Sequence, residues 1–180
     1  QHNVPIITGS TLNEGTLYLM NEKNLSIKKY NSFLKSRFAK HAASASAMFP
    51  VRNESEVAPA IDKILTVAAN AEPARFVAQS METKKSKAYL FQFSRRPDTV
   101  LARKTGVHHG AELAYVFGNM TQADGYDELD RLISDKMMNY WVNFARAGNP
   151  NGPNLPVWPS YDLQSDLNLE FSDTISVNTQ

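Results

Sequence analysis

The sequence predicts an α/β fold whose sheet is incomplete. Two short runs rich in β-branched and aromatic residues, Val4–Thr8 and Ala88–Ser94, read as strands. A long helical stretch separates them, and an amphipathic helix over about Asp127–Ala147 follows. This alternation of strand and helix is that of an α/β protein. It supplies too few strands and helices for a doubly wound sheet, so a mostly parallel sheet flanked by helices is expected, its faces completed by elements from elsewhere.

Val4–Thr8 is bounded by Pro5 and Gly9 and suits a buried strand; the Gly-, Ser-, Thr- and Asn-rich stretch Thr8–Gly15 reads as the loop leaving it. Ser26–His41 carries Ile27, Tyr30, Phe33, Leu34 and Phe38 at helical spacing. Ile61–Lys84 reads as two helices broken near Ala71-Glu72-Pro73, because Pro cannot continue the first. Ala88–Ser94, nearly continuous in apolarity, is the strongest strand signal and is expected at the centre of the sheet. A loop over Arg95–Gly110 leads toward the helix that buries Leu129, Leu132, Ile133, Met137, Tyr140, Trp141 and Phe144. Gly148 and Pro150 stop that helix, Asn149–Pro159 is turn chemistry, and Asn168–Ser172 is expected to be a terminal strand.

The 180 residues (20.1 kDa) are enough for one domain with a sizeable core, and 42% hydrophobic content places the chain among globular proteins. Nineteen Lys and Arg against 18 Asp and Glu leave a formal charge of +1, which gives no electrostatic basis for a nucleic-acid partner. No apolar run approaches the roughly 20 residues of a spanning helix. The absence of cysteine removes disulfides, thiolate metal sites and a Cys nucleophile, and fits a bacterial protein. Asn24-Leu25-Ser26, Asn53-Glu54-Ser55 and Asn119-Met120-Thr121 match glycosylation acceptors, and a secreted or periplasmic bacterial location is expected. The chain opens on Gln-His-Asn-Val-Pro-Ile-Ile, without Met or a signal peptide, as a processed or truncated product would.

Four histidines are candidates for chemistry. His2 lies near a terminus and His41 ends an amphipathic helix, so both read as structural or solvated. His108 and His109 lie in a glycine-bounded loop, Gly106-Val107-His108-His109-Gly110, after the strongest strand, where open α/β sheets bind ligands. Two readings stand for that loop: an imidazole aimed into a cleft, or a surface turn with two titrating histidines. Adjacent rings rarely converge on one ion, and His-x-x-Glu with Glu112 lacks a third ligand, so no metal is expected. Glu14, just past the first strand, either orients an imidazole or caps the next helix. No Gly-x-Ser-x-Gly elbow, Walker loop or Gly-x-Gly-x-x-Gly turn occurs.

Gly106-Val107-His108-His109-Gly110-Ala111-Glu112-Leu113-Ala114-Tyr115-Val116-Phe117-Gly118 closely resembles the catalytic-His segment of the type-B carboxylesterases, the group containing cholinesterases and fungal lipases. Val4-Pro5-Ile6-Ile7-Thr8-Gly9 followed by Asn13-Glu14-Gly15 is similar to that family's strand and acid turn. Tyr140-Trp141-Val142-Asn143-Phe144-Ala145-Arg146-Ala147-Gly148-Asn149-Pro150-Asn151, ending in Trp158-Pro159-Ser160-Tyr161, is a third match in order.

The resemblance implies that residues 1–180 form the C-terminal part of one α/β-hydrolase domain, with a mainly helical insert over about 22–86. It implies an esterase acting by acyl transfer through a Ser-His-Glu triad, with Glu14 as acid and His109 as base. The Ser and the oxyanion-hole glycines would lie on an upstream segment, carried on the same or a separate chain, so the isolated chain is expected to be inactive. His108 would touch the alcohol part of a small-molecule carboxylic ester, Glu112 would support the site from behind, and no cofactor is implied. The competing expectation is a catalytically inactive, cholinesterase-like binding or adhesion protein, or an inert fragment.

Overall fold

The computed structural model describes residues 3–179; His2 lies outside the described residues. Four strands, β1 (Ile6–Thr11), β2 (Ala88–Phe93), β3 (Leu167–Phe171) and β4 (Ile175–Thr179), lie side by side in sequence order. The first three are parallel and β4 returns antiparallel to β3. β2 is central, as its apolarity predicts, because both its faces are covered. Tyr89, Phe91 and Phe93 enter one core with Tyr140, Trp158 and Phe171, while Ala88 and Leu90 enter another with Ala78 and Met81.

β1 differs from its expected form. It starts two residues later and runs on to Thr11, because Thr8–Thr11 pair in unbroken register with Leu90–Phe93. Half of the stretch read as a loop is therefore strand, and Val4, exposed, lies outside it. Nor is β1 fully buried: Ile6, Ile7 and Thr8 are half-buried, since among the described residues it pairs only with β2. β4, a half-buried to exposed strand with Ile175 and Val177 two positions apart on one face, is absent from the sequence expectation.

Between β1 and β2 the chain forms α1 (Thr16–Leu19), α2 (Ile27–Phe38), α3 (Ala42–Met48), α4 (Val57–Thr66) and α5 (Glu72–Thr83). Tyr30, Leu34, Ala45, Val57, Ile61 and Ile64 give this region a hydrophobic core of its own. The expected division near Pro73 is a change of helix type and not an end: the α-helical pattern stops at Thr66 and resumes at Glu72. α4 passes into α5 through a π-turn over Val67–Ala71, and Pro73 sits in the first turn of α5, where no N–H is needed.

After β2 come α6 (Val100–Thr105), α7 (Leu113–Val116) and α8 (Glu128–Ala147). Asp127 and Asp130 form a reciprocal capping box at the start of α8, and Gly148, with φ +65°, ends it. The seam of α8 against the sheet is Ile133, Met137 and Tyr140, with Leu129, Trp141 and Phe144 half-buried. Leu132, expected in that seam, is 51% exposed because it lies one position off the 129, 133, 137, 140 stripe. Arg95, leaving β2, is buried and ties the start of α8 to the loop after β3 by bonding to Asp127, Asp130 and Asp173.

Candidate active site

Parallel pairing brings the carboxyl ends of β1 and β2 to the same edge of the sheet, with Thr11 opposite Phe93. β1 continues into a turn that carries Glu14; β2 is followed by α6 and then the turn that carries His108 and His109. α6 stops at Gly106, with φ +66°, and Val107 packs into the sheet core. Asn13 bridges directly to the His turn in a parallel β-bridge.

Glu14 is 3% exposed, and each of its carboxylate oxygens has a partner. Oε1 accepts from the backbone N–H of Thr11 at 2.6 Å, and Oε2 lies 2.5 Å from His109 Nδ1. An ionised carboxylate only accepts, so His109 Nδ1 is the donor in this contact and Nε2 is left for another partner. His109 stays 56% exposed, and Nε2 has no partner among the described residues. Glu14 does not cap α1: the backbone N–H of Gly15 is taken instead by Asp62 at 2.8 Å.

The neighbouring predicted residues are placed differently. His108 Nδ1 lies 3.0 Å from the His109 carbonyl, and its ring lines a cleft of about 490 Å³ together with Thr99, Ala111, Asn119 and Tyr126. Glu112 does not bond to His109. Its Oε2 is buried without a partner among the described residues, and burial, with Glu14 adding to it, raises its pKa above the usual carboxylate value. It lines an apolar groove of about 640 Å³ with Ile7, Phe91, Trp141 and Val142. His41 is exposed at the end of a 3-10 turn, remote in the helical region. Among the described residues, no three His, Cys, Asp or Glu side chains gather as a metal-binding group.

A sequence profile described as the Carboxylesterase family matches residues 1–180. The chain belongs to the carboxylesterase family. It is 32% identical over 171 residues to Carboxylesterase 1C of Rattus norvegicus, covering 88% of this chain and 30% of that protein. Carboxylesterase 1D of Rattus norvegicus is 31% identical over 162 residues, with 88% and 29% covered. Carboxylesterase 4A of Bos taurus is 41% identical over 92 residues, with 49% and 17% covered. The chain thus spans about 30% of the length of the first of these carboxylesterases. Its mixed four-stranded sheet flanked by helices is part of an α/β-hydrolase fold. Among the described residues, no helix is long and apolar enough to cross a membrane.

Sequence reasoning did not single out Asn13, Asp62 and Thr66, the residues that hold the acid turn in place. Asp62 and Thr66, four positions apart, share a side of α4 away from its Val57-Ile61-Ile64 stripe, so the sequence reads them as a solvated face.

Proposed function

We propose that this chain supplies the acid and the base of a Ser-His-Glu carboxylic-ester hydrolase, with the nucleophilic Ser on a polypeptide segment outside it. The observation that carries the reading is the 2.5 Å contact between buried Glu14 and half-open His109. In the reaction, His109 Nε2 takes the proton from the Ser hydroxyl as its oxygen attacks the ester carbonyl. The tetrahedral intermediate collapses, the C–O bond to the alcohol breaks, and His109 returns the proton to the leaving oxygen. Water repeats the sequence on the acyl-enzyme and releases the acid. Glu14, anchored by the Thr11 N–H, keeps Nδ1 protonated and stabilises the imidazolium in both halves.

Two features support completion by a further segment and inactivity of the chain alone. β1 leaves one edge unpaired among the described residues. Beside it, the 640 Å³ groove is rimmed by exposed Leu113, Phe117 and Val142. In this reading His108 contacts the alcohol part of the ester from its cleft, and Glu112 supports the base from the groove side. A secreted or periplasmic location accompanies the proposal, supported by exposed Asn24, Asn53 and Asn119 in acceptor triplets; fractionation of the source cells tests it.

Fluorophosphonate labelling of the protein that carries this chain, read by peptide mass spectrometry, tests the function. The expected label falls on a Ser outside residues 1–180 and is lost with His109→Ala. Absence of label from the folded protein, or a label on a Ser of this chain, overturns the proposal.

A further inference from the structure

We propose that Asn13 and Asp62 are positioning residues that hold the acid turn against the histidine turn, so that helix α4 sets the alignment of Glu14 with His109. The inference rests on the reading of Glu14 and His109 as acid and base.

The two turns belong to different strands, and Glu14 and His109 lie 95 positions apart in sequence. Their alignment depends on cross-links between the turns, because an error of about 1 Å in a reacting group costs on the order of 100-fold in rate. Asn13 is the cross-link. Its backbone N–H donates to the Val107 carbonyl at 2.9 Å, and its Oδ1 accepts from the Val107 N–H at 3.0 Å. The same side chain donates from Nδ2 to Asp62 Oδ2 at 3.0 Å.

Asp62 closes the arrangement from the other side. Its Oδ1 accepts from the Gly15 N–H at 2.8 Å, so the residues on both sides of Glu14 are tied to one carboxylate. One helical turn on, Thr66 Oγ1 accepts from the Glu14 N–H itself at 3.0 Å. Asp62 and Thr66 are each 8% exposed.

Two glycines fit this clamp. A Cβ on Gly15 would lie 2.8 Å from Asp62 Cα, and one on Gly106 would lie 2.4 Å from Asn13 Oδ1. The chemistry also requires an amide at position 13. The side chain must accept from a backbone N–H on one side and donate to a carboxylate on the other, which a carboxylate cannot do.

That requirement gives a role-swap test in the full-length enzyme, with kcat and KM measured separately. Asn13→Asp sets two carboxylates facing each other, and Asp62→Asn sets two amides facing each other. Each is expected to lower kcat 10- to 100-fold with KM little changed, on the order of the misalignment penalty. The double variant restores one donor and one acceptor between positions 13 and 62 at unchanged net charge, and its kcat is expected to return to within about threefold of wild type.

Undiminished kcat in both single variants, or a double variant no better than either, overturns the clamp. Glu14→Gln, measured alongside, separates the two proposals. A large loss there with unaffected single variants leaves the triad and removes the clamp, whereas wild-type activity there overturns both. Should the single variants not fold, Thr66→Val loosens the same turn at lower cost. It is expected to lower kcat several-fold with KM unchanged, and an unchanged kcat overturns the proposal.

Discussion

Asp130→Asn tests whether the buried ion cluster beneath α7 and α8 is a stabilising element. Asp130 is fully buried. Its Oδ1 accepts from Arg95 Nε and from the Tyr115 hydroxyl, each at 2.6 Å, and its Oδ2 accepts from the Asp127 N–H at 2.8 Å. Burial works against the ionised carboxylate, but Arg95, Tyr115 and the Asp127 N–H outweigh it and hold the pKa below the ordinary Asp value. In the variant one amide oxygen still receives Arg95 and Tyr115, while the amide nitrogen faces the Asp127 N–H, donor against donor.

As charged partners Arg95 would then keep only Asp127 and Asp173, whose side chains are 62% and 76% exposed. Such exposed pairs contribute about 0–1 kcal/mol each. Breaking a buried pair costs about 3–5 kcal/mol, and the two remaining carboxylates place the expected loss near the lower end, about 3 kcal/mol. The assay is urea unfolding followed by tryptophan fluorescence, near neutral pH and in acid. Because the folded pKa lies below the unfolded one, the contribution is complete above about pH 4 and is lost as pH falls through the folded value. The gap between wild type and variant therefore closes on acidification. A neutral-pH loss under about 1 kcal/mol, or a gap that widens in acid, refutes the reasoning.

Glu112→Gln is expected to raise Tm by about 2–4 °C near pH 7, since it removes the cost of ionising a buried carboxylate. The folded pKa of Glu112 is raised, so its ionisation costs stability as pH climbs past about 4; the gain from Gln disappears below that value in a thermal scan. Trp158→Phe removes the bond from Nε1 to the Leu90 carbonyl at 2.9 Å, with an expected cost of about 1–3 kcal/mol by urea unfolding. Trp158→Ala also empties a site packed by Tyr89, Tyr140 and Phe171, with about 3–5 kcal/mol expected in the same assay. Arg75→Met unties α5 from Asp166, whose pKa Arg75 holds down. The partly exposed pair predicts a loss of about 1 kcal/mol in urea unfolding at neutral pH that fades below about pH 4.

What was legible in the sequence follows from where each residue's free energy comes from. β2 is covered on both faces, so its identity was written in side-chain apolarity, and both its place and its type could be read. The second half of β1 owes its strand character to backbone pairing with Leu90–Phe93, which leaves no trace in the polar residues Gly9, Ser10 and Thr11. Pro73 marks the division into two helices through a local steric rule, but that rule does not say that the join is a π-turn and not a loop. The turns carrying Glu14 and His109 were legible through their glycines, since a positive φ or a close approach selects that residue type. The residues behind them were not. An Asp on a helix reads as a solvated charge, and only the fold brings Asp62 to Gly15, 47 positions away. Burying that carboxylate costs free energy unless donors meet it, and the donors that do are the side chain of Asn13 and the backbone N–H of Gly15. The interior therefore tolerates this charge where it also meets the acid turn, on a side of α4 away from the Val57-Ile61-Ile64 stripe, where no apolar pattern in the sequence marks it.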